Sequence, residues 1–176
     1  MSLFFAKGRN VYICINSLIL HKQKLEEKME QNKEITTEYL NAVYQNIKTA
    51  IQSIEDILPK VKDNEFKKEL ASQEDRYIIL EKECELLAKA QKIEGIKDNN
   101  FIEKLKLWGS INMSTMTDKT NRHIAELMLM GTFMGIITCV KDQADHENVS
   151  PEIDEILEKL KELEKTNLKA LMPYLV

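Results

Sequence analysis

Apolar residues recur at three- and four-residue spacings through most of this chain, the period of a helix that buries one face. From about 34 to 58, Leu40, Val43, Tyr44, Ile47, Ala50, Ile51, Ile54 and Leu58 form one stripe, and Pro59 ends the run. A second run starts at Asn64, a residue suited to cap a helix, and carries Phe66, Leu70, Tyr77, Leu80, Cys84, Leu87 and Ala88 on one face as far as Gln91. Gln73 falls in that stripe and Glu74 on its flank. Gly95 and Asp98-Asn99-Asn100 then signal a turn. A shorter amphipathic segment follows over about 101–116, through Ile102, Leu105, Trp108, Ile111 and Met116. A third long helix is expected over about 120–147, with Thr117, Asp118 or Thr120 as its cap. Ser150 and Pro151 open a fourth, which runs to Leu171 and stops before Pro173.

The last two helices carry the informative departures from a simple stripe. In the third, Ile124, Leu127, Met128, Gly131, Gly135 and Thr138 make one face, while His123, Glu126, Met130, Phe133, Ile137 and Val140 make another. A helix apolar on two sides is central or lies at a subunit interface. Gly131 and Gly135 would let a neighbouring helix approach closely, and Met128, Met130 and Met134, with Met113 and Met116, read as flexible packing residues. In the fourth helix, Ile153, Ile156, Leu157, Leu160, Leu163 and Leu171 define the inward line, and Glu164 and Asn167 project along it. A polar pair inside an apolar stripe must find partners. The candidates are Gln73 and Tyr77 on the second helix and Glu126 and His123 on the third. Together these six form a buried polar network or the remnant of a metal site. Asp142 and His146, four residues apart near the end of the third helix, are a weaker surface metal candidate.

Composition supports an all-α chain and narrows its partners. Charged residues make up 31% of the 176 residues and aromatic ones 6%, with only five glycines and three prolines. The net charge of −4 comes from interleaved acids and bases, so no basic stripe for nucleic acid is present. Cys14, Cys84 and Cys139 are far apart and odd in number, which fits a reducing cytoplasm better than a disulfide framework. No membrane span is expected, since no uninterrupted apolar run reaches about 20 residues. No phosphate loop, nucleophile elbow or Ser-His-Asp order is found.

The first 28 residues read as a translated leader or tag outside the core, with residues 29–176 as the bundle domain. Asn10 to His21 is too short to span a membrane, is broken by Asn16 and Ser17, and lacks a small-residue cleavage site. Leu25-Glu26-Glu27-Lys28-Met29 can be encoded with a GGAGG just before an ATG, the layout of a bacterial ribosome-binding site and start codon. Without the first 28 residues the chain holds 20 basic and 27 acidic residues.

With these residues in view, the region 34–172 resembles the ferritin-like superfamily. The likeness is closest to small rubrerythrin-type or spore-associated bundles of low-GC Gram-positive bacteria, and His123 to Ile136 resembles a segment of small clostridial proteins of unknown function. The resemblance implies that Glu126 matches the lone Glu of the third helix. It sets Glu164-x-x-Asn167 and Glu74-x-x-Tyr77 against the two Glu-x-x-His pairs, and leaves the first-helix Glu without a counterpart. Both His ligands are missing, so a degenerate di-iron site is implied and ferroxidase chemistry is not.

The expected fold is therefore an antiparallel up-down-up-down four-helix bundle, ferritin-like, with a short extra helix between the second and third long helices. A hemerythrin-like bundle is disfavoured because three histidines cannot supply its ligands, and a long coiled coil by the caps and short turns. The expected function is non-catalytic: a cytoplasmic, self-associating bundle, a homodimer, that binds a protein partner or a small apolar ligand and needs no cofactor, in a stress or sporulation setting implied by the resemblance. The alternative is a protein that binds iron or another divalent metal, or an oxidoreductase with an incomplete carboxylate site.

Overall fold

The computed structural model describes residues 4–93, 96, 118–145 and 149–176, with side chains from residue 19 onward. The amphipathic segment 101–116 and His146 lie outside the described residues. Four α-helices make up almost all that is described: α1, Phe4–Ile57; α2, Asn64–Ala90; α3, Asn121–Asp145; and α4, Pro151–Leu171. Short 3-10 turns at Leu58–Lys60 and Met172–Leu175 follow α1 and α4. No strand occurs among the described residues, and the all-α expectation holds.

The chain divides into two compact units, 1–35 and 36–176, and α1 runs through the division. In the first unit the side chains from 19 to 34 are exposed. The periodic stripe begins only near residue 40, yet helical backbone extends to Phe4. Lys, Glu and Gln in 22–34 are strong helix formers without an apolar face, so propensity rather than burial shapes that stretch.

The second unit holds the core. Its fully buried large side chains include Tyr39, Leu40, Ile47, Ile54 and Ile57 of α1, Phe66 and Leu70 of α2, Ile124 of α3, and Ile153, Leu157, Leu160 and Leu171 of α4. Local signals set the helix ends. Asp63, one residue before the expected cap, accepts from the Phe66 N–H at 2.8 Å and is the N-cap of α2. At the other end Lys92 takes a left-handed φ of 54°, and the Ile93 N–H closes on the Ala88 carbonyl at 2.9 Å. This is a Schellman-type stop with buried Ile93 as its hydrophobic contact. Ser150 stands at the N-cap of α4 with Pro151 at its first turn, and its hydroxyl accepts from Gln91 at 3.1 Å.

Contacts between helices fix their relative directions. Between α2 and α4, Arg76 meets Asn167 at 3.0 Å, Glu83 meets Lys159 at 2.9 Å and Gln91 meets Ser150 at 3.1 Å, so one number rises as the other falls. Between α3 and α4, Gln143 meets Glu158 at 3.0 Å while Gly135 lies against Glu164, again antiparallel. Two helices that each oppose α4 run the same way as each other. The expected alternation is thus corrected: the order is up-down-down-up, with α2 and α3 parallel. A link of some thirty residues leaves room for a crossover, whereas a short junction joins antiparallel neighbours. Gln45 on α1 donates to the Ile96 carbonyl at 3.2 Å. Its neighbour Tyr44 meets Glu81 and Glu85. By Ile96 the chain has therefore already turned back from the end of α2.

Candidate functional site

Two features of the second unit stand apart from ordinary packing: a polar layer inside the helices and an apolar face outside them.

The layer is built from all four helices. Glu164 is 2% exposed and Asn167 fully buried on α4, with Gln73 and Tyr77 buried on α2. Their partners include Asn46, Arg76 and Glu69, which apolar spacing does not single out. Asn46 of α1 is buried and donates to the Gly135 carbonyl at 3.2 Å and to Cys139 Sγ at 3.3 Å. Arg76 donates to Asn167 Oδ1 at 3.0 Å and to Glu69 Oε1 at 3.3 Å, and Gln73 donates to the same Glu69 oxygen at 3.0 Å. The Tyr77 hydroxyl lies near enough to Glu164 for each group to perturb the titration of the other. Gly135 makes room for the carboxyl group: a Cβ built there would sit 2.8 Å from Glu164 Oε1 and 3.4 Å from Asn46 Oδ1. The close approach expected at this glycine is made by α4, through the Glu164 side chain.

Burial dominates the electrostatics. Desolvation pushes the Glu164 carboxyl up to about 8, against a smaller downward pull from the Tyr77 hydroxyl. Glu164 is therefore mostly protonated at neutral pH. The Tyr77 hydroxyl is raised well above its usual value, first by burial and then by the Glu164 charge. Burial, with Glu164 and Asp142 nearby, pushes the Cys139 thiol up to about 12, and burial with three neighbouring glutamates does the same to Cys84. Neither thiol is a nucleophile at physiological pH. Among the described residues, Glu164 Oε2, Asn167 Nδ2 and Arg76 Nε are buried without a hydrogen-bond partner.

Glu126 and His123 do not join this layer. Glu126 has a side chain 44% exposed and pairs along its own helix with Arg122 at 3.2 Å and His123 at 3.6 Å. The inner face of α3 consists of Ile124, Ala125, Met128, Thr132, Gly135 and Cys139, roughly half a turn away. Both faces of α3 carry similar apolar weight in the sequence, and the face that holds Glu126 and His123, expected to reach the polar layer, is the outer one. Consequently Glu126 and Glu164 do not converge on one point. Among the described residues no group of three His, Cys, Asp or Glu side chains is placed to hold a metal ion. Asp142 is half-buried, and its charge acts on Tyr39 and Cys139 rather than facing only solvent.

The second feature is the outer face of α3. Phe133 is 56% exposed, Val140 52%, and Met130 and Met134 47% each, with Ile137 partly exposed between them. Of the expected packing residues, Met128 is buried, while Met130 and Met134 face outward. Gly131 is exposed too, and a Cβ added there would touch nothing, so none of the described helices packs against it. By length and composition α3 is also apolar enough to cross a membrane, a description that a core helix of a soluble bundle equally meets. The count of uninterrupted apolar residues missed this because Gly, Thr and Cys break a run without making it polar.

No protein-family model matches this chain, nor does any curated protein or any solved structure.

Proposed function

We infer that this chain is a non-catalytic helical-bundle protein that works by association through the outer face of α3. The observation that carries this reading is the contiguous exposed set Met130, Phe133, Met134 and Val140 on one helix. Clustered exposed apolar side chains of this kind mark association surfaces, and Met and aromatic residues are enriched in them. The interior supports a structural rather than a chemical role. Among the described residues, the buried carboxyl of Glu164 favours its protonated form, the thiols of Cys84 and Cys139 are unreactive, and Glu126, the other carboxylate proposed for a metal, lies on the outside. We read the architecture as ferritin-like in topology, supported by parallel α2 and α3 and the single long link between them. On this reading the polar layer fixes helix register, and no cofactor is required.

Static light scattering on the full chain tests the reading. At micromolar concentration the expected mass exceeds that of a monomer and rises with concentration. Phe133→Asp should return the mass to that of one chain while leaving helicity and the melting transition intact. A wild-type chain that stays monomeric throughout would remove the reading.

A further inference from the structure

The exposed face of α3 reads the same from both ends. Take the midpoint between Phe133 and Met134. Met130 and Ile137 stand equally far from it on opposite sides, and so do Glu126 and Lys141. At 100° per residue all six project within about 50° of one line along the helix, away from the buried face. The apolar centre is thus closed by an acid at one end and a base at the other, each about 11 Å from the midpoint. This is the arrangement that a twofold axis demands, because an isologous interface must complement itself.

We propose that the partner of this face is a second copy of the chain, with the two α3 helices packed antiparallel about a twofold axis between Phe133 and Met134. This rests on the self-association reading above and specifies its geometry. In this register Phe133 meets Phe133 and Met134 of the second copy, Met130 meets Ile137, and Glu126 meets Lys141 at both ends. Shifting one helix by a turn in either direction leaves Glu126 opposite an apolar side chain and uncovers one end of the apolar set. The contacts that Glu126 makes with Arg122 and His123 are exposed pairs within one helix. Such pairs are weak and do not compete strongly with a pairing at the rim of a buried patch. A membrane surface or an unrelated acidic or basic protein has no reason to match one acid and one base set symmetrically about an apolar centre.

Charge reversal on the full chain tests the register. Lys141→Glu puts two like-charged contacts into the homodimer, as does Glu126→Lys, and each should weaken self-association about tenfold. The two singly reversed chains should pair with one another when mixed, since each supplies what the other lacks, and the doubly reversed chain should recover wild-type affinity. In a Cys14→Ser background, Phe133→Cys should form a disulfide-linked dimer under mild oxidant, while Glu83→Cys on α2 should not. A wild-type dimer that is indifferent to both reversals, with no preferential mixed pairing and no Phe133→Cys cross-link, overturns this register but leaves self-association standing. A chain that is monomeric at every concentration overturns both, as does one that pellets with neutral lipid vesicles but does not self-associate.

Discussion

At the scale of single residues, Glu164 shows how burial decides chemistry. A carboxyl with an ordinary pKa of 4.5 is taken to about 8 by burial, which outweighs the opposing pull of the nearby Tyr77 hydroxyl. The folded state therefore binds the proton more tightly than the unfolded chain, which fixes the sign of the pH dependence. Below the unfolded value both states are protonated and stability is at its full level. Between about 4.5 and 8 the unfolded chain ionises while the folded one does not, so stability falls as pH rises, by at most roughly 1.4 kcal/mol per pH unit from this group. Glu164→Gln keeps the shape and removes the proton, so it should match wild type near pH 4.5 and become progressively more stable than wild type towards pH 8. Urea unfolding across that range provides the measurement, and parallel wild-type and variant profiles would rule out a buried protonated Glu164. Glu164→Leu should instead destabilise at acid pH by about 1–3 kcal/mol, because it sets an apolar side chain against the buried polar groups of the layer, Tyr77 among them.

At the scale of elements, most of each inward face could be read from spacing, and the exceptions have physical causes. The α4 stripe placed Glu164 and Asn167 inward because a six-residue apolar line defines its direction tightly, and both are buried. The α1 stripe hid Asn46 and Gln45, which sit beside it and are buried, Asn46 against α3 and Gln45 against the Ile96 carbonyl. On α3 the apolar residues surround the helix, so spacing carries no direction. The buried face mixes Ile124 and Met128 with the small Ala125, Thr132, Gly135 and Cys139, and Gly135 lies against Glu164. Helix ends are set by single hydrogen bonds and shift by one residue just as easily. Asn64 looked like the cap of α2, yet Asp63 makes the bond to the Phe66 N–H. Asp63→Ala should cost about 1 kcal/mol of stability and Asn64→Ala close to nothing. Equal losses from the two, measured by thermal or urea unfolding, would mean that the cap is not where this hydrogen bond puts it.

At the scale of the molecule, helix direction was the least legible property, because it depends on a link rather than on any stripe. A helix reads the same up or down from its apolar spacing, and only the length of a junction constrains the turn between neighbours. The three-residue gap and 3-10 turn after α1 enforce reversal; the link after α2 does not. What settles the direction is where the ends meet. The Phe66 ring at the start of α2 stacks on Tyr174 just beyond the end of α4, with centroids 4.1 Å apart. The start of α3 reaches the same end, because α3 opposes α4 through Gln143–Glu158 and Gly135–Glu164. Spin labels at Lys68 and Arg122 should therefore lie close together. Labels at Lys68 and Lys141 should be separated by most of the length of α3, about 28 Å farther along the axis at 1.5 Å per residue. Pulsed dipolar spectroscopy on dilute full-length chain, with Phe133→Asp included to suppress contacts between copies, reads both distances. The reverse ranking would restore an up-down-up-down bundle. It would also remove the support that parallel α2 and α3 lend to a ferritin-like topology, while leaving the outer face of α3, and the pairing proposed for it, to be judged by the charge reversals alone.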